Sequence, residues 1–600
     1  MLRYAALLLA CAGCTGCASP FRMTRVAVDP AGGSDAAVSP DGKRIALSSR
    51  RSGNYEIWIY EIASGQWTQV THDPEDDIEA QWSPDGRQLA FTSTRHGSKD
   101  VFTVDLQTGE LRRLTDDPED DEYPAWSPDG RQIVYTGGPW RRRDFILIDA
   151  RGGNRRTLTR QPGWAGACSF APDGRSVVCH RYDSGSGDVV RIPVDGGPLT
   201  QFTFDSAWDY KPTVDPSGRW LAFSRSDEGP SRIWMQPVQG GAARPLTSSP
   251  SDDRWPTWST TGRELVFHRV VEEGTGIRLL DRETGLVRTV VGPQERPSHP
   301  SLSPDGRRVA YCAEVDGRKA LRVLDLGSGR SRPLDVGMQQ ACAPRWSPSG
   351  DRIAFAGFDG HRWEVCTAGA DGRDVKVWTR GEKRFHGMLG LLDWSPDGKR
   401  IAFRSDTEPF ASDLYAADTA TGEIQALTRD EHWDESPSWT PDGRGLLFMS
   451  TRGGNWTWGL YRMSLQDGSV EELARPDYVE KNFPRMGPGG LTTWSSQDGA
   501  GREVLAERAP DGTTRLLAAD APGARWPSYS ADGKQILFAT VERRTEYWLA
   551  EGVFSPGSPL LQEPAAAGAA RAPAPASPSR EAVAAAPAGR SRSPVKLDRR

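Results

Sequence analysis

Residues capable of chemistry are sparse in this 600-residue sequence, and their spacing favours binding over catalysis. Of eight scattered histidines, His299, His386 and His432 fall in loops expected on one face of the molecule. Three imidazoles there would suit a divalent metal and a lyase-type, polysaccharide-active enzyme with the metal in a central channel. Their unequal offsets from the strands that follow argue against a shared metal. The sequence contains no Gly-x-Ser-x-Gly elbow, HExxH, zinc-type CxxC pair, Walker loop or EF-hand loop. The leading expectation is therefore no catalytic residue, no metal and no cofactor.

A second set mixes aromatic and charged side chains at or near residues that precede a loop proline. Glu79, Tyr123, Lys211 and Trp255 belong to it in the first half, and His299, Phe483 and Trp526 in the second. Trp208, Asp209, Tyr210, Asp252, Asp253, Arg254, His432, Trp433, Asp434 and Glu435 flank them. Such a mixture suits recognition of a protein or peptide; the plainer alternative is aromatics sealing a channel and acids solvating its rim. Two loops share that face, the cationic tip Pro139–Arg143 and the tryptophan-bearing Gly453–Trp458; packing between neighbours is the alternative for both. A formal net charge of −6 gives no global field for nucleic acid.

Cys168 and Cys179 bracket a turn at Asp173-Gly174. If that turn centres a hairpin, they lie opposite each other on paired strands, where Cα atoms approach to about 4.5 Å, within reach of a disulfide. A loop this short should gain about 2–3 kcal/mol at most. A one-residue bulge would send the two side chains to opposite faces, leaving buried thiols. Cys312, Cys342 and Cys366 make the remaining count odd, so one thiol stays free or pairs between molecules.

These residues are positioned by a repeat. Trp-Ser-Pro-Asp-Gly and its relatives place an Asp, or its replacement, at 41, 85, 129, 173, 217, 261, 305 and 349, each step 44 residues. Further copies follow at 397, 442, 489 and 532, making twelve. In each, a short strand ends in Trp-Ser, the Pro-Asp-Gly turn reverses the chain, and an apolar strand such as Arg131–Tyr135 follows. A third strand, Phe145–Ala150, and a fourth, Arg156–Thr159, complete the unit. Four strands in about 44 residues is one propeller blade. The expected fold is all-β, a β-propeller of about twelve four-stranded blades.

The Ser-Pro-Asp-Gly turn and the Leu-Thr strand before it, as in Leu114-Thr115, resemble the WD-like repeats of the TolB propeller family. The same repeats occur in the propellers of prolyl-oligopeptidase-type enzymes, but no segment here has room for the hydrolase domain. The resemblance covers roughly residues 35 to 550, and it implies six-bladed rings and an envelope scaffold. The α/β domain that precedes the TolB propeller has no counterpart, so the Tol–Pal role does not carry over whole.

Two six-bladed rings are thus expected, at 18–297 and 298–554; one large ring or a seven-plus-five split are the alternatives. Thr24–Val28 aligns with a fourth strand that closes the first ring, and Leu286–Val291 is placed to close the second. Residues 1–17 read as a secretory, lipoprotein-type signal with Cys17 as the lipidated residue, Cys11 and Cys14 being alternatives. An ordinary cleaved signal is the competing reading. The Ala/Pro/Arg-rich stretch 555–600 cannot bury enough apolar surface to fold. The expected setting is the periplasm or cell envelope, with membrane contact only through the lipid.

Overall fold

The computed structural model describes residues 22–553 apart from 140–141, 160–163, 183–186, 205–206, 227–229, 250, 260, 316, 381–391, 409–410, 431, 454–457, 475–481, 498–502, 518–522 and 552. The signal with Cys11, Cys14 and Cys17, the 555–600 tail, Trp140, His386 and Trp456 lie outside the described residues. Every described element is a strand except the 3-10 turns Pro293–Glu295 and Pro488–Gly490, and among the described residues no helix is long and apolar enough to cross a membrane.

Most blades are built around a Pro-Asp-Gly turn or a close variant of it. In the third, the Ser127 hydroxyl donates to Asp129 Oδ1 (2.7 Å), which also accepts the Arg131 amide (3.1 Å). The Gln132 amide donates to Ser127 Oγ (2.9 Å), and Gly130 takes φ +69°. The same bonds recur at Ser39-Asp41, Ser83-Asp85, Ser303-Asp305, Ser395-Asp397 and Ser530-Asp532. The fourth residue of the second strand is one large buried side chain at the repeat spacing, such as Phe91, Tyr135, Phe223, Phe267, Tyr311 and Phe355. The cores lie between blades: Ala46 and Ile57 of the first pack with Trp82, Leu89 and Phe91 of the second. In three blades the second strand begins with an Arg whose guanidinium covers the next blade's tryptophan, Arg44 over Trp82 (4.6 Å), Arg308 over Trp346 (4.4 Å) and Arg400 over Trp439 (4.5 Å).

Eight blades are separate four-stranded sheets. Two more, starting at Trp164 and Trp208, merge through one parallel pair, Gly187 with Trp208. The last two share a single sheet. In contact order the blades close into two rings of six.

The shared sheet departs from a simple tandem split at 297/298. It is centred on two long strands, Glu264–Asp281 and Gln535–Glu551, paired antiparallel from Glu264↔Glu551 to Asp281↔Gln535 with one irregularity between Glu273 and Gly276. On the first-ring side the order is Asp252–Trp258, the first half of Glu264–Asp281, the second half of Gln535–Glu551, then the N-terminal strand Arg22–Asp29. On the second-ring side it is Ala524–Tyr529, the first half of Gln535–Glu551, the second half of Glu264–Asp281, then Val287–Val291. Each ring thus takes one strand of its closing blade from the far part of the chain, and its outermost strand is the one expected from sequence.

Candidate functional site

Among the described residues the innermost strand of eleven blades carries a bulge. In the first ring the register shifts between Ser34 and Ala37, Ile78 and Gln81, Glu122 and Ala125, Ala165 and Cys168, Tyr210 and Thr213, and Arg254 and Thr257. Within five of these bulges Asp35, Glu79, Tyr123, Lys211 and Trp255 hold positive φ, between +51° and +65°. That conformation is costly for residues with a Cβ, and it re-aims the side chain where a regular strand would not. The five side chains converge on a cavity of about 70 Å³ at the ring axis, room for a few waters.

Buried charge fills this cavity. Lys211 places its ammonium 3.8 Å from the Trp255 ring and 4.4 Å from that of Tyr123. Glu79 Oε2 accepts the Thr92 hydroxyl (2.7 Å) and the Tyr123 amide (2.8 Å), and Asp35 Oδ2 accepts the Ser34 hydroxyl (2.7 Å). Burial pushes the Glu79 carboxyl up to about 7, opposed by Lys211 and helped by Glu122 and Asp35. Burial likewise raises Asp35 and lowers Lys211, the latter against the pull of both acids. Two carboxyls share one ammonium, so the cavity carries one acidic group beyond what Lys211 neutralises.

Of the sequence-derived candidates, Glu79, Tyr123 and Trp255 meet here with Lys211; Asp35 was missed, although it stands one 44-residue step before Glu79. Trp208 and Tyr210 lie elsewhere: Trp208 is exposed beside Tyr182 (5.1 Å), and the Tyr210 hydroxyl donates to Ser231 (2.7 Å). Trp433 bridges to Ser412 and donates its amide to Thr451 (3.0 Å). The flanking acids Asp209, Asp253 and Asp434 do not solvate a rim. They are fully buried and ion-paired to Arg225, Arg269 and Arg452 at 2.6, 2.6 and 2.8 Å. Nor is the Pro139–Arg143 loop simply a cationic tip, for Arg143 is buried against Glu122 (2.5 Å) and Asp120 (3.6 Å).

In the second ring the matching positive-φ residues are His299, Ala343, Ser436, Phe483 and Trp526. His299 stacks on Trp526 (4.2 Å between centroids) and Phe483 leans on it (5.2 Å), forming an aromatic group where the first ring has charge. Burial holds the His299 imidazole well below its ordinary pKa, with help from Lys319, Arg345 and Arg485. Among the described residues no three His, Cys, Asp or Glu side chains gather in a way that could hold a metal ion.

Cys168 and Cys179 are directly opposed in register (Cα–Cα 4.1 Å) and joined by a disulfide. They occupy the positions that elsewhere carry the bulge proline and the large buried aromatic, as in Pro212 and Phe223. A second disulfide, Cys312–Cys342, was not foreseen; it ties the second strand of one blade to the first strand of the next. The signal was present, because the residues 44 and 88 positions before Cys312, His268 and Ser224, share its place, and Ser224 accepts the amide of Trp255 in the next blade (2.8 Å). Cys366 is buried and free.

Comparison with known proteins agrees with this architecture. The TolB beta propeller domain matches residues 22–159, 122–338 and 320–577. Among curated relatives, the Uncharacterized peptidase YuxL of Bacillus subtilis is 31% identical over 165 residues, covering 27% of this chain and 22% of that protein. The Tol-Pal system protein TolB of Francisella tularensis is 26% identical over 187 residues, 31% of this chain and 42% of that one. The chain thus spans less than half the length of either. A solved structure of putative TolB from Agrobacterium tumefaciens aligns with 45% of this chain and 98% of its own at 23% identity and a TM-score of 0.39. With matches running from residue 22 to residue 577, the chain belongs to the TolB beta propeller domain family.

Proposed function

We propose that this protein is a non-catalytic scaffold of the cell envelope that binds a protein or peptide partner at one propeller face, the face onto which the first ring's bulges open. The observation that carries this reading is the cluster of Tyr123, Trp255, Lys211, Glu79 and Asp35, set by bulge backbone around one cavity. Aromatic surface, a cation and two acids held in place in the free protein give anchors that lose little freedom on binding. The cavity itself is too small for a metabolite, so the partner lies across its mouth.

A photo-crosslinking residue at position 123, compared with one at Asp129 on the opposite turns, tests this in intact envelopes. The reading requires a discrete adduct from position 123 that is absent from position 129. No adduct from position 123, or the same adducts from both, would overturn it.

A further inference from the structure

The second ring differs from the first in the layer two residues beyond each bulge. In the first ring this position is uncharged, and Gln81, Ala125, Ser169, Thr213 and Thr257 line the channel cavity. In the second ring the same position reads Ser301, Arg345, Asp393, Ser438, Arg485 and Ser528 around the ring.

Arg345 and Arg485 are 4% and 6% exposed. Arg345 Nη1 donates to the carbonyls of Pro300 (3.0 Å) and Pro344 (3.3 Å), while its Nε and Nη2 are buried with no hydrogen-bond partner. Arg485 donates only to carbonyls, those of Pro437 (3.2 Å), Pro484 (3.5 Å) and Leu392 (3.5 Å). The layer's single acid, Asp393, accepts the Trp439 amide on Oδ2 (2.8 Å). Two cations thus face one anion in a desolvated channel, where an unneutralised guanidinium is costly. The charge of Arg485 adds to burial in disfavouring ionised Arg345, so the pair lies within electrostatic reach.

The hydroxyls point the same way. Ser301, Ser438 and Ser528 each accept a backbone amide from the neighbouring blade, of Trp346 (3.2 Å), Met486 (3.4 Å) and Leu302 (3.3 Å). Their protons remain available for donation. In the first ring Ser169 and Thr257 instead donate to the carbonyls of Pro212 (2.9 Å) and Ala36 (3.0 Å). The second ring thus offers more donors than the single acid Asp393 and the nearby carbonyls can absorb.

We propose that the second ring's channel binds a compact oxyanion, a carboxylate or phosphate group, between Arg345 and Arg485 with the three serine hydroxyls as further donors. This stands independently of the partner site on the first ring. Charge-assisted bonds to a guanidinium fork are the strongest available here, and Arg345 presents Nε and Nη2 on adjacent edges for them.

Calorimetric titration of the full chain with inorganic phosphate and, separately, sodium acetate, against sodium chloride at equal ionic strength, tests the site. Saturable binding of either oxyanion with no chloride response is expected; tighter phosphate assigns a phosphate ligand, tighter acetate a carboxylate. Arg485→Met should weaken it at least tenfold. Asp393→Asn, which removes the only negative charge of the layer while leaving an oxygen for the Trp439 amide, should tighten it several-fold. If Arg485→Met fails to fold, Asp393→Asn alone decides. Oxyanion binding no different from chloride, or affinity unmoved by Asp393→Asn, would overturn the proposal.

Discussion

Asp281 and Gln535 face each other across the end of one antiparallel ladder, and the same ladder ends at Glu264 opposite Glu551. One strand therefore serves two cores. Phe538 packs with Leu280, Leu505 and Ile536 in the second ring, whereas Tyr547 packs with Ala27, Val38 and Leu47 in the first.

Truncating these two side chains should damage different rings although they share a strand. Tyr547→Ala should cost about 3 kcal/mol, as large buried aromatics do. It should raise amide exchange in Arg22–Asp29 and Gly33–Val38 while strands of the second ring keep their protection. Phe538→Ala should do the reverse. Hydrogen exchange followed by mass spectrometry reads both; equal loss in both rings from either variant would show one cooperative unit instead.

Asp121 supplies a pH prediction. Burial raises its carboxyl to about 8, against the pull of Arg155 at 3.8 Å and with a push from Asp117. The unfolded chain ionises this group near the ordinary value of 3.8. Its raised folded pKa gives stability that is fully present below that value and is lost as pH rises through about 8. Asp121→Asn cannot titrate, so wild type should lose denaturant midpoint relative to the variant between pH 5 and pH 8. His180 and His268, held neutral by burial, contribute equally to both proteins and cancel in the difference. A pH-independent difference would show that the carboxylate is charged throughout.

Thiol counting checks the bridges. A chain starting at Pro20 retains Cys168, Cys179, Cys312, Cys342 and Cys366. Unfolded without reductant under non-exchanging conditions, it should titrate as one thiol, and after reduction as five. Cys366→Ser should abolish the first signal. In the folded protein Cys366 should react slowly, because burial pushes its thiol up to about 12.

Trp255 separates recognition from packing. Trp255→Ala removes one of the two aromatic rings that cover the Lys211 ammonium. If the first-ring mouth engages a partner, adduct yield from position 123 should fall at least tenfold with a shift of only a few degrees in melting temperature. A large melting shift with unchanged adduct would assign the ring to packing.

Blade grammar was legible because it is local: each Ser-Pro-Asp-Gly turn contains its own hydrogen-bond donors and acceptors within five residues, as at Ser127–Gln132. Glu79, Tyr123 and Trp255 were legible for the same reason, since they stand beside a fixed turn in the repeat. The Arg345–Arg485 layer lies two positions beyond the bulge, where most blades carry a small or uncharged residue, so the repeat gives no sign of it. The strand exchange was hidden for another reason. Glu264–Asp281 and Gln535–Glu551 read as one blade strand running into the next, and a repeat period carries no record of which edge a strand joins. Arg143 misled because its partners, Asp120 in the loop before the blade's first strand and Glu122 at the start of that strand, lie some twenty residues back, a pairing that charge count alone does not reveal.

The exchange also fixes a timetable for making the molecule. Residues 545–551 lie between Arg22–Asp29 and Glu264–Val270 in the finished sheet, so a nascent first ring has a gap until nearly the whole folded region has been synthesised. Throughout that interval the N-terminal strand and Glu264–Asp281 offer unpaired backbone edges to any other extended chain. A chain arriving end-first in a new compartment would benefit from an escort covering those edges. Under crowding, the predicted first error is two molecules lending each other their last strand, a dimer by exchange of Gln535–Glu551.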